Sequence, residues 1–285
     1  MKPDWLKIKL AGNETGPAIR RIVETHRLHT ICSSGRCPNI GRCWSRGTAT
    51  FMILGNICTR SCRFCATQTG RPEPPDADEP QKVAESIRLM QLKHAVITSV
   101  DRDDLPDKGA AHWAATVRAV REQNPHSVIE ILIPDFDADA ALLQVVVEAR
   151  PDVVGHNLET VERLTPHVRS RAGYRRSLEV LQRVAQQGLP VKSGLMVGLG
   201  ERPDEVVATM RDAFDAGVRL FTIGQYLQPT AKHISVTEYV HPSQFDFYRQ
   251  TGLEIGFWNI ASGPLVRSSF MADGQWEAGT LKLGV

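Results

Sequence analysis

The amino-acid sequence predicts an α/β fold built around a parallel sheet. Short apolar runs typical of buried strands alternate with segments whose apolar residues recur at helical spacing. Strands separated by helices need crossover connections, which make neighbouring strands parallel. The chain has 285 residues, of which 42% are hydrophobic, so it can fill the core of one large domain. Six strand–helix units suit either an open doubly wound sheet or a partial (β/α)6 barrel, and the pattern alone leaves both open.

The predicted strands begin after a first segment, residues 1–47, which has little strand-like periodicity and which we interpret as an N-terminal extension. The apolar runs are Phe51–Leu54, Ala95–Val100, Val128–Ile133, Val153–Leu158, Val191–Val197 and Leu220–Leu227. Helical periodicity is found in residues 109–123, 173–188 and 202–217. The Pro-rich stretch RPEPPDADEP at 71–80 predicts a connecting loop. In such folds the functional residues collect at the carboxyl ends of the strands.

The overall charge gives no strong attraction to nucleic acid or to a membrane surface, because the formal net charge is only +2. No apolar run approaches the ~20 residues that a membrane-spanning helix needs. The first residues, MKPDWLKIKL, lack the apolar stretch and cleavage site of a signal peptide. We therefore predict a cytoplasmic protein with neither nucleic acid nor membrane as a partner.

The cysteines are clustered in a way that favours metal ligation. All six lie between Cys32 and Cys65. A disulfide framework would usually connect distant parts of a small secreted domain, whereas clustering at one end of a large chain is typical of a metal site.

The second cysteine trio, Cys58, Cys62 and Cys65, has the spacing CxxxCxxC and follows the first predicted strand directly. Three thiolates can hold three irons of a [4Fe–4S] cubane and leave the fourth iron open to an outside molecule. The alternative is a structural zinc site, but zinc prefers four ligands, commonly two CxxC-like pairs. The spacing therefore favours a cluster with an open coordination position.

The first trio, Cys32, Cys37 and Cys43, has the less common spacing CxxxxCxxxxxC. It also supplies three ligands, and two local trios favour two clusters over one shared site. A zinc site completed by His26 or His29, or cysteines buried in a core, are the alternatives.

The second trio resembles the signature of the radical S-adenosylmethionine superfamily, which has an aromatic residue before the third cysteine, here Phe64. The stretch GLMVGLGE at 194–201 is similar to the superfamily's G-x-I-x-G-x-x-E element beside the adenine. The resemblance implies a partial (β/α)6 TIM-type barrel and S-adenosylmethionine as a cofactor. It also implies that cofactor contacts come from Phe64 and from Gly194, Met196, Gly198 and Glu201.

The first trio narrows the resemblance to the lipoyl synthase family, which carries this spacing and a C-terminal Arg-Ser-Ser-Tyr motif. This chain has Arg267-Ser268-Ser269-Phe270, so the tyrosine hydroxyl is missing. Further similar stretches are NICTRSCRFC (56–65), ITSVDRDDL (97–105), HNLETV (156–161) and TIGQYLQP (222–229). The resemblance implies Ser269 as the fourth ligand of an auxiliary cluster, although residue chemistry alone does not choose it over Ser268. It implies Cys58, Cys62, Cys65 and Ser269 as the catalytic set.

The implied reaction inserts two sulfur atoms, at C6 and C8 of a protein-bound octanoyl-lysine. By the resemblance, two [4Fe–4S] clusters and two molecules of S-adenosylmethionine serve each turnover, and the auxiliary cluster is the sulfur donor. The implied partners are octanoylated lipoyl carrier domains of 2-oxoacid dehydrogenase complexes or the glycine-cleavage H protein. An electron donor such as flavodoxin or ferredoxin is expected as well.

Polar residues near the predicted strands are further candidates for holding S-adenosylmethionine. They are Asp101, Glu130, Asn157, Glu159 and Arg171. We expect three parts: the extension 1–47 with the auxiliary cysteines, a barrel over 48–255, and a C-terminal segment 256–285 with the serine motif. The rival functions are a methylthiotransferase or biotin-synthase-like sulfur inserter, an iron–sulfur electron carrier, and a zinc-stabilised binding module.

Overall fold

The computed structural model describes residues 2–6, 21–22, 25–26, 28–31, 37 and 39–283, with residues 42, 45 and 279–283 described by their backbone only. Contacts divide the chain into two compact units. The N-terminal unit takes its described residues from Leu10–Ser61 and Ala66–Val154. The C-terminal unit takes them from Met1–Lys9, Cys62–Cys65 and Gly155–Val285.

The N-terminal unit is built on parallel strands. Its strands are β1 (His29–Thr30), β2 (Thr48–Ile53), β3 (Ile57–Cys58), β4 (Gln68–Thr69), β5 (His94–Ser99) and β6 (Val128–Leu132). Strand β5 pairs in parallel with both β2 and β6, β1 pairs antiparallel with β2, and β3 and β4 form a separate parallel pair. Every residue of β2 is buried, as expected for a strand covered on both faces.

Helices supply the crossovers of this unit. They are α1 (Ile40–Ser45), α2 (Glu79–Leu89), α3 (Ala110–Gln123) and α4 (Ala140–Val147), with a 3₁₀ turn at Phe136–Ala138. Helix α3 buries Trp113, Val117 and Val120, whose spacing places them on one face of a helix. The Asp139 side chain accepts the first N–H groups of α4, so this helix has an N-cap.

The C-terminal unit repeats the strand–helix pattern. Its strands are β8 (Val191–Val197), β9 (Leu220–Gln225) and β10 (Asn259–Gly263). Its helices are α5 (Thr165–Val168), α6 (Tyr174–Ala185), α7 (Pro203–Asp215), α8 (Pro242–Ile255) and α9 (Ala272–Leu283), with 3₁₀ turns at Asp4–Leu6 and Glu162–Leu164. Strand β9 is parallel to both β8 and β10. The chain passes from one unit to the other within β7 (Val153–Gly155).

The predicted α/β class is confirmed, and all six predicted strands form. Strand β8 has the predicted bounds, whereas β7 is shorter than the predicted run 153–158. The predicted loop 71–80 is two residues too long, because α2 begins at Glu79 with Pro80 in its first turn, a position that suits proline. The three-part division by function at 47 and 255 stays a prediction.

Candidate functional site

The loop that follows β2 carries the second cysteine trio. Leu54 (φ 65°) and Gly55 (φ 90°) both lie in the left-handed region and turn the chain away from the strand. The Leu54 N–H donates to the Glu79 carboxylate at 2.7 Å, which ties the exit of β2 to the start of α2. Cys58 ends β3 in the N-terminal unit, and Cys62–Cys65 belong to the C-terminal unit.

The Cys58 sulfur accepts hydrogen bonds from two backbone N–H groups. The backbone N–H of Arg60 donates to Cys58 Sγ at 3.4 Å, and that of Asp101 donates to it at 3.3 Å. The side chain is buried. Hydrogen bonds to sulfur favour the thiolate over the thiol and are a usual feature of cysteines that hold iron–sulfur clusters. The residues around Cys58 therefore fit a cluster ligand.

A buried arginine, Arg60, lies between Cys58 and Cys62 in the sequence. Arg60 is 7% exposed. Its guanidinium donates to both oxygens of Asp103 at 2.8 Å, to Asp135 Oδ1 at 2.8 Å, and lies 3.2 Å from Asp101 Oδ1. Burial alone would lower the pKa of Arg60, but the hydrogen bond with Asp103 and the charges of Asp101 and Asp135 raise it above its usual value. The guanidinium is therefore a permanent cation in this loop.

Asp101, one of the predicted cofactor contacts, lies beside Cys58. Its Oδ2 is 3.6 Å from Cys58 Sγ. Burial raises the pKa of Asp101, the Arg60 charge lowers it, and the neighbouring carboxylates Asp135 and Asp103 raise it again. The structure thus places this predicted residue next to the predicted radical-cluster cysteine.

The Cys62–Cys65 segment is held by a histidine of its own unit. The Cys65 N–H donates to the Cys62 carbonyl at 3.1 Å, closing a turn. His233 Nε2 lies 2.9 Å from the Cys65 carbonyl oxygen, and its Nδ1 lies 2.9 Å from Thr230 Oγ1. Because a carbonyl only accepts, Nε2 carries the proton and Nδ1 accepts from the threonine.

Two further contacts hold the same segment. The Arg63 N–H donates to the Val168 carbonyl at 3.0 Å, and Cys62 Sγ lies 3.6 Å from Ser170 Oγ. Phe64, the predicted aromatic position, is half-buried, as are Cys62 and Cys65. The backbone of the third cysteine of the trio is thus fixed through its carbonyl group.

Among the residues that the structure describes, no three His, Cys, Asp or Glu side chains converge on a single metal ion.

The first trio is described in part. Cys32 lies outside the described residues. Cys37 is half-buried, and its carbonyl accepts the N–H of Ile40 at 3.4 Å, at the start of α1. Cys43 lies within α1 and is 8% exposed. Of the three predicted auxiliary ligands, Cys37 therefore lies just before the short helix α1 and Cys43 lies within it.

The Arg-Ser-Ser segment is docked against the end of β9. Arg267 Nη1 donates to the Gln225 carbonyl at 3.3 Å and to the Val266 carbonyl at 2.6 Å. The approach is so close that a Cβ on Gly224 would lie 2.1 Å from the Val266 oxygen. Ser268 and Ser269 follow in a turn and are both half-buried, so the motif is not a loose exposed loop.

Glu130, another predicted cofactor contact, points to a histidine of the neighbouring strand. Its Oε2 lies 3.1 Å from His94 Nε2, and the two side chains are 5% and 2% exposed. At least one oxygen of this carboxylate is therefore engaged within the N-terminal unit.

The turn after β7 brings Asn157 and Glu159 to β8. The Glu159 N–H donates to the Gly194 carbonyl at 3.1 Å, and the Met196 N–H donates to the Glu159 carbonyl at 2.9 Å. Glu159 has φ 68°, a strained value for a residue with a side chain and one that concentrates at functional sites. Burial raises the pKa of Glu159, against the opposing effects of the Arg169 charge and an Asn157 hydrogen bond. Four predicted cofactor residues thus meet at one strand edge.

Two glycines of the stretch 194–201 stand where a side chain would clash or would strain the backbone. A Cβ on Gly194 would lie 2.1 Å from Thr222 Oγ1, and Gly198 has φ 98°. The Glu201 carboxylate accepts the N–H groups of Gly198 at 2.5 Å and Leu199 at 2.9 Å. Burial raises the pKa of Glu201, and these N–H groups oppose that shift. Glu201 therefore shapes the loop that follows β8.

Comparison with known proteins gives the family. The Radical SAM superfamily model matches residues 52–213. Lipoyl synthase of Parabacteroides distasonis is 60% identical over 272 residues, covering 95% of this chain and 97% of the relative. Lipoyl synthase of Bacteroides fragilis is 59% identical over 272 residues, covering 95% and 94%. The chain belongs to the lipoyl synthase family. It is accordingly a radical S-adenosylmethionine enzyme and a sulfurtransferase.

A solved structure supports the fold alone. Methylornithine synthase (PylB) superposes with a TM-score of 0.51 at 13% identity, over 96% of this chain and 93% of that one. The radical S-adenosylmethionine α/β fold predicted from the sequence is confirmed. Family membership also means that the enzyme uses an iron–sulfur cluster and S-adenosylmethionine on an octanoylated protein substrate.

Several site residues of this lipoyl synthase family member were not singled out from sequence. They are Arg60, Asp103, Asp135, Arg169 and His233. Arg169 donates to the Asn157 carbonyl at 3.2 Å and to Ser177 Oγ at 2.8 Å, whereas the predicted Arg171 is exposed. The only sequence signal for Arg60 was its place between two cluster cysteines.

Across the part of the chain that the structure describes, no helix combines the length and the apolar character that crossing a bilayer requires.

Proposed function

We propose that this chain carries out the lipoyl synthase reaction with two separate [4Fe–4S] clusters, the radical cluster on Cys58, Cys62 and Cys65 and the auxiliary cluster on Cys32, Cys37 and Cys43 with Ser269. The observation that carries the first assignment is the Cys58 sulfur, which receives two backbone N–H groups. The second rests on the family's motif and on the anchored segment at Arg267.

The bound groups would supply the chemistry that side chains cannot. When bound, the radical cluster and S-adenosylmethionine supply an oxidant for unactivated C–H bonds at C6 and C8, and the auxiliary cluster supplies sulfur. General acid–base groups cannot attack such bonds, so the side chains bind, orient and exclude water.

The residues around β8 are proposed to hold S-adenosylmethionine. Gly194 and Gly198 allow neighbouring residues to approach the backbone of β8 and its following loop closely. Met196 lies half-buried between them. Glu201 fixes the loop by accepting its N–H groups. We assign Phe64 and the polar residues Asp101, Glu130, Asn157, Glu159 and Arg171 to the same cofactor, with Arg171 a candidate for a bidentate carboxylate contact.

The proposed reaction also indicates which substrate protein and which electron donor the enzyme uses. The substrate is an octanoyl-lysine on a lipoyl carrier domain, of a 2-oxoacid dehydrogenase complex or of the glycine-cleavage H protein. Replacing hydrogen at two carbons consumes two molecules of S-adenosylmethionine per turnover, and each cleavage takes one electron from a donor such as flavodoxin or ferredoxin. A cytoplasmic location stays a prediction.

The proposal is tested on anaerobically reconstituted protein. Two cubanes require about eight iron and eight sulfide per chain. With S-adenosylmethionine, reductant and an octanoyl-lysine peptide, mass spectrometry should show a product that has gained two sulfurs and lost two hydrogens, together with 5′-deoxyadenosine and methionine.

Other results would support the rival functions. Zinc without sulfide would indicate a zinc-stabilised module. Clusters without release of 5′-deoxyadenosine would indicate an electron carrier. Insertion of one sulfur, or transfer of a methylthio group, would indicate a different two-cluster radical enzyme.

A further inference from the structure

A buried charge cluster beside the second trio contains residues to which the reaction proposed above gives no role. It consists of Arg60, Asp101, Asp103, Asp135 and Asp137, all in the N-terminal unit, and of these only Asp101 is assigned to the cofactor above. We propose that Arg60 is a positioning residue, which anchors the Cys58 side of the cysteine loop to the ends of β5 and β6 and so presents the Cys58 sulfur to the radical cluster. This inference rests on the proposed function, because it takes Cys58 as a cluster ligand.

The anchors come from two strand ends. Asp103 follows β5, and Asp135 follows β6 immediately before the Phe136–Ala138 turn. Arg60 spans both, with two hydrogen bonds to Asp103 and one to Asp135, each of 2.8 Å. Asp135 is 0% exposed, so the arginine reaches into the unit's interior rather than along its surface. The loop is therefore fixed to rigid elements.

Thr59 adds a second connection to the same strand end. Its N–H and Oγ1 donate to the Asp101 carbonyl at 3.1 and 3.0 Å, and the Asp103 N–H donates to Thr59 Oγ1 at 3.1 Å. Residues 59 and 60 are thus both attached to the segment 101–103. This leaves Cys58 little freedom relative to β5.

The same anchored residues provide the donors to sulfur. One N–H on Cys58 Sγ belongs to Arg60 and the other to Asp101, and the side chains of these residues are 3.2 Å apart. We therefore expect loss of the guanidinium to disturb the positions of both N–H groups. Because hydrogen bonds to sulfur tune cluster potential and stability, the arginine acts on the cluster through Cys58.

Lysine cannot replace this arginine. The guanidinium meets Asp103 with two parallel bonds and still reaches Asp135, whereas an ammonium is a point charge without the fork. One guanidinium faces four carboxylates here, the fourth being Asp137 at 4.0 Å, so loss of the fork also leaves like charges facing each other. The substitution Arg60→Lys keeps the net charge and removes the paired hydrogen bonds of the guanidinium.

The chain offers a matched control. Arg102 is 2% exposed and donates to both oxygens of Asp104 at 2.9 Å and to the Leu54 carbonyl at 3.2 Å. Like Arg60, it is a buried arginine with a bidentate carboxylate in the same strand-end segment. Its hydrogen bonds do not go to the residues between the cysteines, so Arg102→Lys controls for general loss of packing and charge geometry.

The experiment uses the full chain carrying Cys32→Ala, Cys37→Ala and Cys43→Ala, so that only the radical cluster is observed. Arg60→Lys and Arg102→Lys are introduced separately, and the reconstituted proteins are mixed with a ferrous chelator. We expect Arg60→Lys to lose iron about 10- to 100-fold faster than the parent, as expected for lost charge-assisted hydrogen bonds. Arg102→Lys should lose it at the parent's rate.

A spectroscopic readout separates positioning from stability. The electron paramagnetic resonance signal of the reduced cluster should change on addition of S-adenosylmethionine in the parent and in Arg102→Lys. In Arg60→Lys it should be heterogeneous and respond less. The proposal is overturned if both lysine variants match the parent in iron loss and signal, or if both deviate equally.

A double-mutant cycle with Asp103→Asn tests whether the pair acts as a unit. If it does, the double variant Arg60→Lys/Asp103→Asn loses iron no faster than the faster single variant. If the rate increases of the two single variants multiply in the double variant, the inference is contradicted. If circular dichroism shows that Arg60→Lys does not fold, the test uses Asp103→Asn alone, because this variant leaves Asp135 in place. Iron loss faster than in the parent then supports the inference, and loss at the parent's rate contradicts it. A parent without sulfide overturns the proposed function and this inference together, whereas a parent with a normal cluster and an unaltered Arg60→Lys overturns this inference only.

Discussion

Ser268 and Ser269 stand side by side, yet a cluster corner can accept only one oxygen. Both are half-buried in the turn after Arg267, whose side chain is bonded to the end of β9. A serine oxygen is a harder ligand than a thiolate and binds iron in a cluster less firmly. We propose that Ser269 is released when the auxiliary cluster gives up sulfur, which explains why a fourth cysteine is absent.

Ser269→Ala should abolish sulfur insertion and leave cofactor cleavage intact. Loss of a residue that only hydrogen-bonds to a metal ligand costs about 10- to 100-fold in metal affinity or activity, and loss of a direct ligand should cost more. Release of 5′-deoxyadenosine should continue, because the radical cluster is untouched. The measurement is the ratio of lipoyl product to 5′-deoxyadenosine.

Ser268→Ala is the control and should retain the ratio of the unmodified enzyme. If Ser268→Ala is inactive and Ser269→Ala is active, the ligand assignment is reversed. Ser269→Cys should hold the auxiliary cluster and turn over poorly; full turnover would show that a labile oxygen ligand is not needed.

At the scale of elements, strand β9 and the segment after β10 are packed backbone to backbone. Gly224 lies in β9 opposite Gly263 of β10, and a side chain on Gly224 would meet the Val266 carbonyl. The position of the serine motif therefore depends on a residue more than forty positions away in sequence, since Arg267 and Gln225 are 42 positions apart.

Gly224→Ala should displace residues 266–269 from β9. The added Cβ would lie 2.1 Å from the Val266 oxygen, and overpacking of this kind costs about 1–3 kcal/mol. We expect a lower unfolding midpoint and, in the reconstituted protein, a normal radical cluster with reduced sulfur insertion. Thermal unfolding and the product ratio measure the two effects.

Gly173→Ala serves as the comparison, because a Cβ there would have no neighbour within 4 Å. It should change stability by less than about 1 kcal/mol and leave the product ratio alone. An equal loss of sulfur insertion in both variants would refute the link between Gly224 and the serine motif.

The predictability of the elements follows from their composition. An apolar run such as Phe51–Leu54 indicates a strand that is buried on both faces, and Phe51–Ile53 lie in β2, where every residue is buried. Strand β10 has the sequence NIASG and contains no apolar run. It forms by pairing with β9, which its own sequence does not indicate. The short strands β3 and β4 have two residues each and carry no periodicity to detect.

The predictability of the site has the same limit. The cysteine spacings are local and could be read, as could the glycines of 194–201. The partners of Arg60 could not, because Asp103 and Asp135 are 43 and 75 positions away. The contact of His233 with Cys65 spans 168 positions. Such contacts are set by the fold rather than by sequence neighbours.

At the scale of the whole molecule, the six cysteines divide into two local trios in the sequence, and the proposed function gives the two trios different fourth ligands. Each trio spans few residues, so each can close its own cluster. The radical trio lies in an anchored loop, with Cys58 held from β5 and Cys65 from His233. In the proposed function, the auxiliary trio depends on a distant serine, Ser269. The two sites should therefore be separable by substitution.

Replacing one trio at a time should leave the other cluster intact. The chain with Cys32, Cys37 and Cys43 changed to alanine should retain about four iron and four sulfide, cleave S-adenosylmethionine and form no lipoyl product, because the sulfur source is lost. The chain with Cys58, Cys62 and Cys65 changed should also retain about four of each and release no 5′-deoxyadenosine. Iron and sulfide analysis with product chromatography tests both. If either variant lost all iron, the trios would share one site, and sulfur and radical would have to come from the same cluster.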